Sequence, residues 1–174
     1  MRAPVARGGL IAKFFFILTL WALNPASASA EDFVLERYFQ GKTKASGVFR
    51  SWIAGVNRPF TVITTGSWDG KTLELREDFV FEDGERDRKT WFFEKIAEGE
   101  YLGTRADVEG KAHLRTFGNK IRFSYVADVK NGDKTTKLRF SDTLSLQKDG
   151  TVLNTARVSK FGIPIGKVEL TFVK

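Results

Sequence analysis

The residues of this chain that could do chemistry are polar side chains set into apolar sequence phases. Glu77 shares its phase with Leu75 and Phe79, and Asp142 shares one with Phe140 and Leu144. Asn154 lies between Val152 and Ala156, Lys160 follows Val158, and Arg105 and Asp107 continue the phase of Tyr101 and Gly103. An unpaired buried charge is costly, so these residues need one another, a ligand or a way out to water. Three arrangements satisfy them: a polar patch inside a closed sheet that orients a ligand head group, a closed internal ion-pair network, or bulges that carry the side chains to solvent. In the first, Arg105 with Lys160 or Arg157 meets an anionic head, because a guanidinium presents a planar fork to carboxylate or phosphate. Trp91, Tyr101 and Tyr125, with Trp52 and Trp68, either line an apolar pocket or fill a small barrel's core.

Catalysis has little to work with. The 174 residues include no Cys and one His, which excludes disulfides, thiolate metal sites and a Cys nucleophile. There is no G-x-S-x-G, no H-E-x-x-H and no phosphate-binding glycine loop. His113 sits near a turn with no partner identifiable in the sequence, and reads as a surface residue. Asp69, Asp83 and Asp149 fall in turns, where their carboxylates bond nearby backbone. The sequence therefore implies a non-enzyme with no cofactor and no metal. A carboxylate pair of the glycosidase kind, Glu77 with Asp142, is the one catalytic arrangement still open.

The first thirty residues read as an address. Arg2, Arg7 and Lys13 precede the apolar run Phe14 to Leu23, and Ala28-Ser29-Ala30 ends the segment with small residues. This is the pattern of a secretory signal peptide cleaved after Ala30, too short for a membrane span. With no Cys to acylate, it is not a lipoprotein leader. The remaining 144 residues carry 25 basic and 21 acidic side chains, a formal charge of +4. The basic residues are scattered, which argues against nucleic acid as a partner. Export to the periplasm of a Gram-negative bacterium, as a monomer without a membrane span after cleavage, is the expectation.

The elements that must position the polar residues are strands. Turn dipeptides recur at Asp69-Gly70, Asp83-Gly84, Glu98-Gly99, Glu109-Gly110, Asn131-Gly132 and Asp149-Gly150. Between them apolar residues alternate, as in Ile121, Phe123, Tyr125 and Ala127, or Val168, Leu170 and Phe172. Ten strands are predicted, over 45–53, 59–68, 71–81, 86–96, 100–108, 111–117, 120–129, 134–146, 151–161 and 165–173. A short helical turn over Phe33 to Phe39 precedes them. Long successive hairpins with one apolar face must curl and close. Charged second phases, such as Glu74, Arg76 and Asp78, put water outside and argue against an outer-membrane barrel. The predicted fold is all-β: a single antiparallel up-and-down barrel of about 8–10 strands, lipocalin-like in plan, over 31–174.

Several segments resemble an uncharacterised bacterial family. They are Lys71 to Gly84, Arg88-Lys-Thr-Trp91, Tyr101 to Ala112, Phe117-Gly-Asn119, Phe140-Ser-Asp142 and Asn154 to Gly166. The chain is similar in these motifs, and in their order from about Tyr38 to Lys174, to domain-of-unknown-function family 3833. Many members look like lipoproteins, and this chain departs from them in lacking the Cys. A fainter likeness is to lipocalin-type barrels, where a helical turn leads into Gly-x-Trp; here Phe33 to Phe39 leads into Gly47-Val48-Phe49.

Neither resemblance brings an activity. The residues point to a barrel that binds a small apolar or amphipathic, lipid-like molecule, with Glu77, Trp91, Tyr101, Arg105, Tyr125, Asp142, Asn154 and Lys160 as the candidate contacts. The alternative is a packed, non-catalytic envelope scaffold. A ligand carrier is expected to show a connected cavity of roughly 300 Å3 or more, open at one barrel end.

Overall fold

A computed structural model describes residues 32–131 and 133–174. The predicted leader and its cleavage site lie outside the described residues. One short helix, α1 (Leu35–Phe39), leads into ten strands: β1 (Gly41–Ser51), β2 (Val56–Trp68), β3 (Thr72–Phe81), β4 (Arg86–Ala97), β5 (Glu100–Thr104), β6 (Ala112–Phe117), β7 (Lys120–Asn131), β8 (Lys134–Leu146), β9 (Val152–Lys160) and β10 (Ile163–Val173). Each strand pairs antiparallel with its sequence neighbours, and β1 pairs with β10 to close the barrel. Closure leaves no strand at a free edge of the sheet.

The turn chemistry follows the sequence. Asp69 Oδ1 accepts from the N–H groups of Lys71 and Thr72, Asp83 Oδ1 from that of Glu85, and Asp149 Oδ1 from that of Thr151. Two glycines are set by close approach. A Cβ at Gly47 would strike the Leu170 side chain across the β1–β10 pairing, and one at Gly66 would strike the Phe39 carbonyl where α1 lies against β2. The Gly47-Val48-Phe49 triplet thus marks a crowded ladder position.

One strand is shorter than its alternation suggests. β5 stops at Thr104, four residues before the expected end, and the segment 105–111 instead runs beside β7. There the N–H of Glu109 donates to Val126 and that of Asp128 donates to Asp107. The Arg105–Asp107 ion pair described below holds this bend in place of a ladder.

The two barrel ends differ. At one end α1 acts as a plug. Phe33, Leu35 and Phe39 are almost wholly buried among Leu73, Leu114, Ile121, Val152 and Phe172. Phe33 N–H donates to Gly118 at 2.9 Å, and the Tyr38 hydroxyl donates to the Phe172 carbonyl at 3.0 Å. Tyr101 belongs to this plug: its hydroxyl donates to Glu36 at 2.6 Å, and Lys95 reaches the same carboxylate at 3.2 Å. Burial alone would raise the Glu36 pKa, but these two donors hold it below the usual value. Tyr101→Phe leaves Glu36 with one donor fewer and is expected to cost about 1–3 kcal/mol of stability, measurable by urea unfolding.

Toward the other end the inward-facing residues become only partly buried: Glu77, Phe79 and Phe81 on β3, Phe123 and Tyr125 on β7, Phe140 on β8 and Val168 on β10. The barrel is packed at the plug and looser at the mouth.

Candidate functional site

Strand alternation aims Glu77 of β3, Trp91 of β4, Tyr125 of β7, Asp142 of β8 and Asn154 of β9 into one lumen. The ladder explains their grouping: Leu75 is opposite Trp91, Glu77 opposite Lys89, and Asp142 opposite Phe123. Arg105 enters from the 105–111 segment. Its guanidinium carbon lies 4.5 Å from the centre of the Trp91 ring and 5.3 Å from that of Tyr125. Both are cation–π distances. The same two rings meet edge to face at 5.1 Å, and Tyr125 stacks on Phe140 at 5.2 Å.

Charge within the cluster is partly paired. Arg105 grips Asp107 through Nε at 2.6 Å and Nη2 at 3.3 Å, and Lys89 reaches Asp107 at 3.0 Å. Burial opposes the charge of Arg105, but Tyr125, Glu77 and Asp107 outweigh it and its pKa is raised. Asp107, with two cations beside it, stays below the usual carboxylate range despite its burial. Glu77 fares worse. Its nearest cation atom is Arg105 Nη1, at 3.9 Å, and burial pushes its pKa up to about 7.

Asp142 is the least satisfied group. It is 6% exposed, and its one donor is the Asn154 amide, 2.9 Å from Oδ1. Burial raises its pKa to about 7, against the opposing pull of Asn154 and Arg105. Burial, then the Asp142 charge, also raises the Tyr125 hydroxyl well above its ordinary value. Among the described residues, Asp142 Oδ2 and Asn154 Oδ1 are the two buried side-chain atoms without a hydrogen-bond partner. Both are acceptors.

Six of the eight candidate residues therefore face one another: Glu77, Trp91, Arg105, Tyr125, Asp142 and Asn154. Tyr101 does not join them, because it is committed to Glu36 in the plug. Lys160 also stands apart, at the end of β9 with its Nζ over the Phe161 ring at 5.6 Å. Trp52 neither lines a pocket nor fills the core; it is 58% exposed at a loop tip. His113 is a surface residue, 2.9 Å from Glu100. The sequence did not disclose Lys89 as the partner of Asp107, since in strand β4 it looks like any alternating cation.

The wall beside Asp142 is thin. The β6–β7 ladder holds three pairs, Arg115–Arg122 to Phe117–Lys120, and the next bridge joins Val108 to Ala127. Between them Phe123 to Tyr125 lack a ladder partner on that side. An open groove of about 520 Å3 lies on the outer face of this stretch, lined by the exposed His113, Arg115, Phe117, Arg122, Ser124 and Ser141 and bordered by Thr143, Phe123 and Asp142. This groove lies on the outside of the wall and is not the interior cavity open at a barrel end that the sequence led to.

The fold and site define a closed ten-strand up-and-down barrel, plugged at one end, with a partly paired ionic cluster inside. The chain belongs to the family described as "Protein of unknown function (DUF3833)", which matches residues 18–174. No curated protein matches the chain. Among solved structures it is similar to Rv2717c from M. tuberculosis, with a TM-score of 0.55 at 12% identity over 79% of this chain and 92% of that one. That likeness concerns the fold. A de novo designed fluorescence-activating β-barrel matches with a TM-score of 0.44 at 14% identity, over 82% of this chain and 99% of the design.

Proposed function

We propose that this protein is an exported, non-catalytic carrier that holds a small amphipathic molecule in the looser half of its barrel. The observation that carries this reading is the pair of partnerless acceptors, Asp142 Oδ2 and Asn154 Oδ1, buried in an aromatic-lined lumen. A buried acceptor without a donor costs on the order of 1–3 kcal/mol. A ligand hydroxyl or amine placed there removes that cost. Phe60, Phe79, Phe123 and Phe140 offer the apolar part its contact.

The charge balance modifies the head-group expectation. Arg105 is already gripped by Asp107, so an anionic head would have to displace that pair. A donor head meets free acceptors instead. With Asp142 titrating at about 7, an amine gains an ionised partner as the pH rises through that value.

Native mass spectrometry of the protein isolated from its own cells tests the reading, followed by titration with a fluorescent fatty amine, a fatty alcohol and a fatty acid. The expected result is a co-purifying small molecule and tighter binding of the amine or alcohol than of the acid. Asp142→Ala is expected to weaken binding about tenfold or more, the equivalent of one lost charged hydrogen bond. Protein that is repeatedly empty and takes up none of the three probes overturns the proposal.

A further inference from the structure

The end of the barrel away from α1 carries apolar side chains out into water. Trp52 and Ile53, in the loop between β1 and β2, are 58% and 64% exposed, and Phe161 and Ile163, at the β9–β10 turn, are 93% and 61% exposed. The two loops are neighbours. β1 pairs with both β2 and β10, and the Ser51 hydroxyl donates to the Ile165 carbonyl at 2.9 Å.

The turn itself is informative. Lys160 pairs with Ile163, so Phe161 and Gly162 form a two-residue hairpin loop, with φ of 51° and 80°. Such a turn favours Asn, Asp or Gly at its first position, and a bulky side chain is strained there. Phe161 suits neither the local backbone nor the solvent around it, and it packs into no core.

Beneath these tips a row of cations crosses three strands. Arg157 is directly opposite Lys167, and Lys167 is directly opposite Arg50, all on the exposed outer face. Like charges set opposite one another repel. Glu169 meets Arg50 and Lys167, each at 2.9 Å, and the row keeps a net positive charge. Lys160 adds a further cation beside Phe161. At the rise of an extended strand the row lies on the order of 10 Å below the tips.

We propose that this end of the barrel docks on the surface of a bilayer containing anionic lipid. Trp52, Ile53, Phe161 and Ile163 enter the interfacial zone, where an aromatic ring and its neighbours gain from partial burial. Arg50, Arg157, Lys167 and Lys160 then lie level with the lipid phosphates. The charge row favours a bilayer over an apolar protein patch, which would cover the tips and leave the cations without a counter-charge. The proposal does not depend on the ligand reading. It places the mouth of the barrel against the membrane.

Flotation with vesicles tests it, using the protein as isolated from cells and comparing phosphatidylcholine alone with phosphatidylcholine containing about one-third phosphatidylglycerol. Wild-type protein is expected to float with the anionic vesicles. Trp52→Ser combined with Phe161→Asn is expected to weaken that partition about tenfold or more. Arg157→Gln with Lys167→Gln is expected to bring binding on anionic vesicles down toward the level on neutral ones. Phe161→Asn alone is expected to leave the melting temperature unchanged or raised, because Asn suits the turn, so its loss of binding is not a loss of fold. Equal flotation of wild type and the tip variant, or no flotation of wild type, overturns the proposal. A concentration-dependent dimer that the tip substitutions dissolve assigns the surface to a second copy of the chain and overturns it as well.

Discussion

Thermal unfolding of the barrel is expected to occur at the highest temperature near about pH 5 and to fall as the pH rises toward about 8. The cause is the pair of lumen carboxyls, one buried and one mostly so. Glu77 and Asp142 have pKa values raised to about 7, against ordinary values of 4.5 and 3.8. Between those limits the folded chain binds more protons than the unfolded one, so stability decreases with increasing pH. Their contribution is fully present below the ordinary values and is lost as the pH passes through about 7. Taken alone, the shift corresponds to about 3 kcal/mol for Glu77 and about 4 kcal/mol for Asp142. The sum for both is smaller, because part of the Glu77 shift comes from the charge of Asp142. On the acid side Glu36 and Asp107, whose pKa values are lowered, cease to contribute as they protonate.

The same carboxyl makes a substitution that stabilises. Asp142→Asn removes a charge that has no ion-pair partner within 4 Å and puts an amide donor in place of the partnerless Oδ2. At about pH 8 it is expected to raise stability by about 2–3 kcal/mol and to flatten the pH slope. Urea unfolding of both proteins at the two pH values is the check. A wild-type stability that climbs steadily to pH 8, indifferent to the substitution, would show that water reaches Asp142 freely. Stabilisation by Asn together with loss of ligand binding would mark a site where folding free energy has been given up for recognition.

Much of the architecture was legible because each level of the sequence agreed with the next. Asp-Gly turns, period-two alternation and strands too long for a flat sheet all specify a closed barrel. The strand limits fail where alternation continues but pairing does not. Arg105 and Asp107 keep the phase of Tyr101 and Gly103, yet their mutual ion pair bends the chain onto β7. The odd polar residues identified the lumen, since a charge among apolar residues stands out in one dimension. What the sequence could not supply was partner choice. Arg105 with Asp107, Tyr101 with Glu36 and Lys89 with Asp107 are long-range meetings fixed by barrel closure. The exposed tips did leave a trace in the sequence: Phe161-Gly162 stands where a hairpin turn ordinarily has Asn-Gly.

Arg105→Ala is expected to be the most damaging single change in the cluster, and to act on stability before it acts on any ligand. The side chain is 10% exposed and lies against both the Trp91 and Tyr125 rings. Its loss opens a void among those rings and removes two hydrogen bonds from Asp107 and the nearest cation from Glu77. Removing one partner from a buried ion pair costs about 3–5 kcal/mol. The cost must depend on pH in a defined way. Near pH 5 Glu77 is protonated and does not need Arg105, so the penalty there comes from Asp107 and the lost packing. Near pH 8 Glu77 is ionised without its cation, and the penalty is larger. Glu77→Gln added to Arg105→Ala is therefore expected to restore part of the stability at pH 8 and little at pH 5. Urea unfolding of the two single variants and the double variant measures this coupling directly. A penalty equal at both pH values, with no rescue by Glu77→Gln, would mean that Arg105 serves Asp107 alone and that Glu77 answers to some other group in the lumen.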